Sequence, residues 1–441
     1  MIQIARAFLI GLLMMSGPVG AQTVIRDAEI EQALRRVAAP ILQAAGLPAS
    51  LRIIVVDDRS LNAFIVDSRS IFIHSGLIMR LEDPAQLQAV IAHEAAHIAN
   101  GHYTRRAANI GQANTVARLG LLLGLAAAVA SDNPGAGLGV AAGTASSAQR
   151  ALFAHTRAEE ASADAAGLRY MIAAGANPGA MLDVLDLFRG QEALSAGRQD
   201  PYLRTHPLTR NRLRSIRALA AGAATPAPDA TTLYWYERMI AKLSAFQNAP
   251  ARTLRRVGRD DRSEIARLSR AIAYHRQPDT ARAIAEVNAL VQMRPSDPYY
   301  QELRGQILFE SRAYGAAVQA YSRAVSLAPR NALILAGYGR ALLAADTAAG
   351  NREALDVLTR ARARDPFDPR MLRDLALAHA RLGQTGLAAT ATAERYALIG
   401  RFDDAQSLAA RAMGLLPRGS AGWLRAQDVH DVAQTALAQE R

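Results

Sequence analysis

Residues 89–102 read AVIAHEAAHIANGH. Two histidines and a glutamate stand within its first nine residues, 89–97, which are otherwise alanine, valine and isoleucine, and a third histidine closes the stretch at 102. Asp83 and Pro84, just upstream, supply an N-cap and a first helical residue, so the stretch is predicted to lie on a helix with a defined start. His93 and His97 are four residues apart, hence on one face and one turn apart. That spacing lets both imidazoles reach a single zinc ion at about 2.0–2.1 Å. Glu94 is the next residue round and does not face the metal squarely, but it can take a proton from a water beside it. The plain alternative is a buried helix that happens to carry polar residues. Two unliganded histidines in such a setting are costly to bury, which favours the metal.

A third ligand is on offer in RAEEASADAAG, residues 157–167. Glu160 and Asp164 are four apart on a later helix, predicted from about Thr156 to Ala174. One carboxylate can bind zinc while the other orients a histidine through its free ring nitrogen. By spacing alone Glu159 serves as well as Glu160, and a pair of solvated surface carboxylates is the bland reading.

Around these motifs, DAEIEQALRRVAAPILQAAG (27–46) has helical periodicity and ends at Gly46. LRIIVVDD (51–58), LNAFIVDSR (61–69) and SIFIHSGLI (70–78) read as strands. From Val116 the chain turns oily, and 116–148 is expected to form a helical hairpin whose arms are too short to span a bilayer. It either lies on the protein or acts as a lid or membrane-surface element giving peripheral membrane contact. AAGAATPAPDATT (220–232) is a linker by composition and the expected domain boundary.

Beyond the linker the chain repeats. Pro295 and Pro329 are 34 residues apart, the tetratricopeptide period. Gly305, Ala317, Tyr321 and Ala324 precede Pro329 at the offsets where antiparallel helices cross, and Ala271 and Ala283 match two of them before Pro295. A lengthened unit ends at Pro366, and a degenerate stretch carries Ala405, Ala412 and Pro417. The expected domains are a metal-binding domain over 22–219 and an all-α repeat solenoid over 233–441, the first being α+β, mostly helical, with a small sheet. A generic alanine-rich bundle is the alternative to repeats, and a concave docking surface is what repeats supply.

The 441 residues carry a formal charge of +12, almost wholly arginine, with Lys242 the one lysine and no cysteine. Such a charge suits nucleic acid, anionic surfaces or acidic partners. Nucleic acid is excluded by the lack of any basic cluster with interleaved aromatics. The start, MIQIARAFLIGLLMMSGPVGAQT, has the layout of a cleavable secretory signal over 1–21, and absence of cysteine excludes a lipid anchor. The expected compartment is the periplasm.

HEAAH followed by EASAD resembles the zinc peptidases that include the membrane heat-shock and prenyl-processing endopeptidases. The resemblance implies one zinc per chain, with His93, His97 and Glu160 as ligands, Glu94 as catalytic base and Asp164 orienting a ligand histidine. It also implies that Asn62-Ala63-Phe64 precedes an edge strand, Ser70, Ile71, Phe72, Ile73 and His74, that pairs with extended substrate. RTHPLTRNRL (204–213) is similar to a further family segment. It implies that His206 either stabilises the oxyanion or fills a fourth zinc position at rest, with Arg212 in support. A helix cap is the plain alternative for His206, which is followed by Pro207, a residue suited to open a helix. Of the other histidines, His102 is expected off the ligand face and His74 exposed or facing substrate.

Signal, peptidase and repeats together resemble the periplasmic, repeat-bearing members of the family. These imply degradation of misfolded or stalled outer-membrane β-barrel proteins, repeats docking on the assembly machinery, and room for chaperone activity. The rival is a non-proteolytic chaperone or scaffold acting through the repeats.

Overall fold

The computed structural model describes residues 24–102, 157–191, 194 and 198–439. The expected signal (1–21), the oily hairpin (116–148) and His155 lie outside the described residues. The first compact unit runs to Ser244 and the second from Ala245 onward.

In the first unit, strands β1 (Val24–Ile25), β2 (Arg52–Val56), β3 (Ala63–Ile65) and β4 (Ser70–His74) form one sheet in the order β1-β2-β4-β3. β2 and β4 run parallel, and the two outer pairings are antiparallel. All five residues of β4 are buried. Ile71 and Ile73 enter the main core, whereas Phe72 joins Ile54 and Val56 on the opposite face. A run apolar on both faces suits an interior strand. The expectation that Ser70–His74 forms the edge is therefore corrected: β4 is paired on both sides, and β3 takes the outer position beside it. Sequence order does not give order in the sheet, because the parallel β2–β4 pairing displaces β3 outward. His74 is corrected too. It is 0% exposed, with Nδ1 2.9 Å from Ser60 Oγ, so it faces neither solvent nor substrate.

Helices α1 (Ala28–Ala44), α2 (Ser75–Arg80) and α3 (Pro84–Ala99) pack on the sheet, and α4 (Arg157–Ala173) packs on α1 and α3. Asp83 caps α3, accepting from the Ala85 amide at 2.6 Å, as its sequence predicts. α3 and α4 meet through Ala96, Ala163 and Ala166. A Cβ added at Gly167 would come within 3.3 Å of the Ala92 backbone, so the two helices touch almost backbone to backbone. This closeness brings short side chains on α4 within reach of those on α3.

Shorter helices α5 (Ala180–Asp186), α6 (Pro201–Thr205) and α7 (Arg210–Ala220) follow. The linker expected at 220–232 leads into α8 (Ala230–Gln247), whose Tyr236, Met239 and Leu243 join the first core. Inside it, Arg238 pairs with Glu29 at 2.6 Å and Lys242 with Asp27 at 2.8 Å. The first unit thus extends past the linker because the only lysine and a buried arginine fasten α8 to the start of α1.

The second unit is all helical: after α9 (Pro250–Val257) come α10 (Glu264–His275), α11 (Thr280–Met293), α12 (Pro298–Glu310), α13 (Tyr314–Leu327), α14 (Ala332–Ala345), α15 (Ala348–Arg364), α16 (Pro369–Arg381), α17 (Thr385–Leu398), α18 (Phe402–Leu415) and α19 (Ala421–Gln439). α10, α12 and α14 begin 34 residues apart, the tetratricopeptide period. Asp297, Asn331 and Asp368 cap the first helices of three pairs. Tyr321 sits between Gly305 and Gly337, where an added Cβ would lie 2.7 and 2.5 Å from its ring. Only hydrogen fits at either place.

Gly337→Ala should therefore lower the stability of the repeat unit by about 1–3 kcal/mol, the usual cost of overpacking. Urea denaturation followed by circular dichroism measures it. An unchanged midpoint would mean that the Tyr321 ring moves aside freely.

Candidate metal centre

α3 carries His93 and His97 on one face, α4 brings Glu160, and the residue ending α6 is His206. All four are buried, and their ligand atoms lie within 4.8 Å of one another. His93 Nε2 is 3.1 Å from His97 Nε2 and 3.2 Å from His206 Nδ1. Glu160 Oε1 is 3.1 Å from His206 Nδ1 and 3.4 Å from His97 Nε2. A tetrahedral zinc ion with bonds of about 2.0–2.1 Å sets its donors about 3.3 Å apart. Three imidazole nitrogens and a carboxylate oxygen at these separations fit that ion in both size and donor chemistry.

A second ring of side chains orients the first. His93 Nδ1 donates to Asp164 Oδ1 at 3.1 Å, which turns Nε2 inward. Arg212 grips Asp164 with Nε at 2.7 Å and Nη2 at 2.8 Å, and its Nη1 reaches Glu160 Oε2 at 2.7 Å. The same Nη1 donates to the Pro207 carbonyl at 3.0 Å, which ties the His206 segment to α7. His206 donates its backbone N–H to Tyr202 O at 2.8 Å, and its ring lies 4.7 Å from that of Tyr202. Tyr202 in turn stacks on Phe188.

Charge in this pocket is set by competition between burial and contact. Burial opposes protonation of His93, but its bonds to Asp164 and Glu160 outweigh that and raise it to about 10. Burial would raise Glu160 and Asp164. Contact with His206, His93 and His97 instead holds Glu160 well below the usual carboxylate range, and Arg212 and His93 lower Asp164. Glu94 differs: it is 0% exposed, and burial pushes its carboxyl upward. Among the described residues neither of its oxygens has a hydrogen-bond partner, and the nearer lies 3.4 Å from His206 Nε2.

The structure thus brings His93, Glu94, His97, Glu160, Asp164, His206 and Arg212 into one pocket. Glu160, not Glu159, joins the donor set. Pro207 does not open a helix: α7 starts at Arg210 under a Thr209 cap, and His206 sits in the connection. Ser70–His74 lies in the sheet interior. Tyr202 escaped the sequence reading, and His102, expected off the ligand face, stays out of the donor set. Tyr202 carries no motif signal. His102 lies against His97, and the Asn100-Gly101 pair ahead of it, a helix-stop signal, is what would have revealed the turn.

Residues 25–220 match the family model described as Peptidase family M48. The "Beta-barrel assembly-enhancing protease" of Escherichia coli (strain K12) is 24% identical over 408 residues, covering 91% of this chain and 82% of that one. The "Putative beta-barrel assembly-enhancing protease" of Vibrio cholerae is 28% identical over 204 residues, covering 45% of this chain and 41% of that one. Among solved structures, MamA from Desulfovibrio magneticus RS-1 overlays at 18% identity with a TM-score of 0.33, covering 37% of this chain and 93% of that one.

With His93 raised to about 10 in the metal-free pocket, it carries a proton at neutral pH that a metal must displace. Zinc binding at pH 7 should release that proton, and apparent affinity should climb about tenfold per pH unit below pH 10 for each proton lost. Calorimetry in buffers of different ionisation enthalpy reads the proton count. A binding heat independent of buffer would show His93 already neutral.

Proposed function

We propose, from the match of residues 25–220 to the model of Peptidase family M48, a zinc metalloendopeptidase family, that this chain is a periplasmic endopeptidase that degrades misfolded or stalled outer-membrane β-barrel proteins. The repeats would dock on the assembly machinery, which fits their extended stack of paired helices. The observation that carries the proteolytic part is the donor set of His93, His97, Glu160 and His206 with Glu94 against it. The substrate class rests on relatives similar along most of the chain. Among the described residues no helix is long and apolar enough to cross a membrane.

His93, His97 and Glu160 would hold zinc, which would supply Lewis acidity toward a carbonyl and a water. Glu94 takes the proton from the attacking water and returns it to the leaving amine. Burial raises the affinity of this carboxyl for a proton, which favours its taking one up. Asp164 and Arg212 keep the His93 ring turned toward the donor set. His206 Nδ1 lies beside Glu160 Oε1 and His93 Nε2 and would fill a fourth position, which supports a resting arrangement in which substrate must displace that ring. Catalytic zinc sites keep one position open, and four protein donors make a closed one. β3 replaces β4 as the substrate-pairing edge. It packs beside α3, and Leu61 just ahead of it accepts the Tyr202 backbone N–H at 3.3 Å. An extended chain added there would run past the donor set.

Glu94→Gln should retain one zinc per chain yet lose at least about 100-fold in cleavage of unfolded outer-membrane protein. The same variant should capture such proteins from envelope membranes. Wild-type cleavage by this variant would overturn the mechanism, and capture of no barrel protein would overturn the substrate class. His206→Ala should bind a peptide hydroxamate more tightly than wild type. Weaker binding would show that His206 helps the substrate rather than blocks it.

A further inference from the structure

His97 is held at both ends of its ring. Nε2 points into the donor set, 3.1 Å from His93 Nε2 and 3.4 Å from Glu160 Oε1. Nδ1 lies 2.9 Å from Nδ1 of His102. The two rings are 0% and 2% exposed and meet edge to face with centroids 4.9 Å apart. On an uninterrupted helix, residues five apart point about 140° away from each other. Here α3 stops at Ala99 and Asn100 caps it. Gly101 then adopts a left-handed backbone with φ 65°, which costs a residue without Cβ little. The chain turns back and lays His102 on His97. Asn100 moors this turn to α4, its Nδ2 donating to Ser162 Oγ at 3.1 Å.

We infer that His102 is a positioning residue for the metal centre, accepting at its Nδ1 the hydrogen bond donated by His97 Nδ1–H. This rests on the proposed role of His97 as a zinc ligand. A neutral imidazole that gives its Nε2 lone pair to a metal keeps its proton on Nδ1. At the 2.9 Å contact His97 therefore donates, and His102 carries its own proton on Nε2. His93 follows the same rule with a different partner, its Nδ1 donating to Asp164. One ligand histidine is thus backed by a carboxylate that Arg212 neutralises, and the other by a neutral ring. The neutral ring orients His97 without adding a further negative charge to a pocket that already holds Glu94, Glu160 and Asp164.

The test uses the full chain, with zinc affinity read by competition against a chromophoric chelator, for wild type and the variants His102→Asn, His102→Gln and His102→Leu. The Asn side-chain oxygen falls near the place of His102 Nδ1. The Gln oxygen lies one bond further out, and Leu has no acceptor. His102→Leu should bind zinc about 10–100-fold more weakly, and His102→Asn should stay within about threefold of wild type. A protected downfield imidazole N–H resonance should appear in the zinc-loaded wild type and Asn variant and vanish in the Leu variant. Wild-type affinity in His102→Leu overturns the inference. So does equal weakening in the Asn and Leu variants, which would trace the effect to ring packing. If the Leu variant does not fold, the order decides: Asn tighter than Gln supports the bond, and equality refutes it. Failure of wild type to bind zinc would remove the role of His97, and this inference with it.

Discussion

Arg212 lies inside the protein with its guanidinium divided between Asp164, at 2.7 and 2.8 Å, and Glu160, at 2.7 Å. Three imidazoles and three carboxylates converge on this pocket, and groups so deeply buried are tolerated only when paired. Asp164 can orient His93 because Arg212 neutralises it, and Glu160 keeps one oxygen for the donor set because Arg212 holds the other. The fork also bonds the carbonyl after His206, so one side chain fixes the relation of α4, α7 and the His206 connection. Its raised affinity for its proton follows from these contacts. A lysine could not make the same bidentate grip.

The second constraint is the near contact of α3 and α4. Glutamate and histidine side chains are short compared with an ordinary interhelical gap, so their ends meet only when the helices do. Ala92, Ala96, Ala163, Ala166 and Gly167 make that approach possible. The repeat unit uses the same device for another purpose. Gly305 and Gly337 make room for Tyr321, and Gly339 is packed against Leu358 in the same way. Abundant alanine and glycine, which bury little apolar area each, here serve close approach rather than bulk burial.

His206 shows how one residue can hold two relations at once. Nδ1 belongs to the donor set while Nε2 stands 3.4 Å from the Glu94 carboxylate. A ring in this position touches the donor set and Glu94 in the same conformation. Tyr202 and Phe188 form the apolar stack on which it rests, and Thr209, by starting α7 late, leaves the connection its irregular path.

What could be read from sequence was local and periodic. The four-residue spacing of His93 and His97, the Asp83-Pro84 start, the Glu160–Asp164 pair and the 34-residue repeat are all repeats of helical geometry, which a chain states in its own order. Only tertiary structure decided that Ser70–His74 is an interior strand, that α8 joins the first core through Arg238 and Lys242, and that His102 faces His97. The first depends on which strands pair, the second on buried charges about two hundred residues apart finding each other, and the third on the backbone sign of Gly101. Each is settled by pairing and burial summed across distant segments, and no short window of sequence carries that sum.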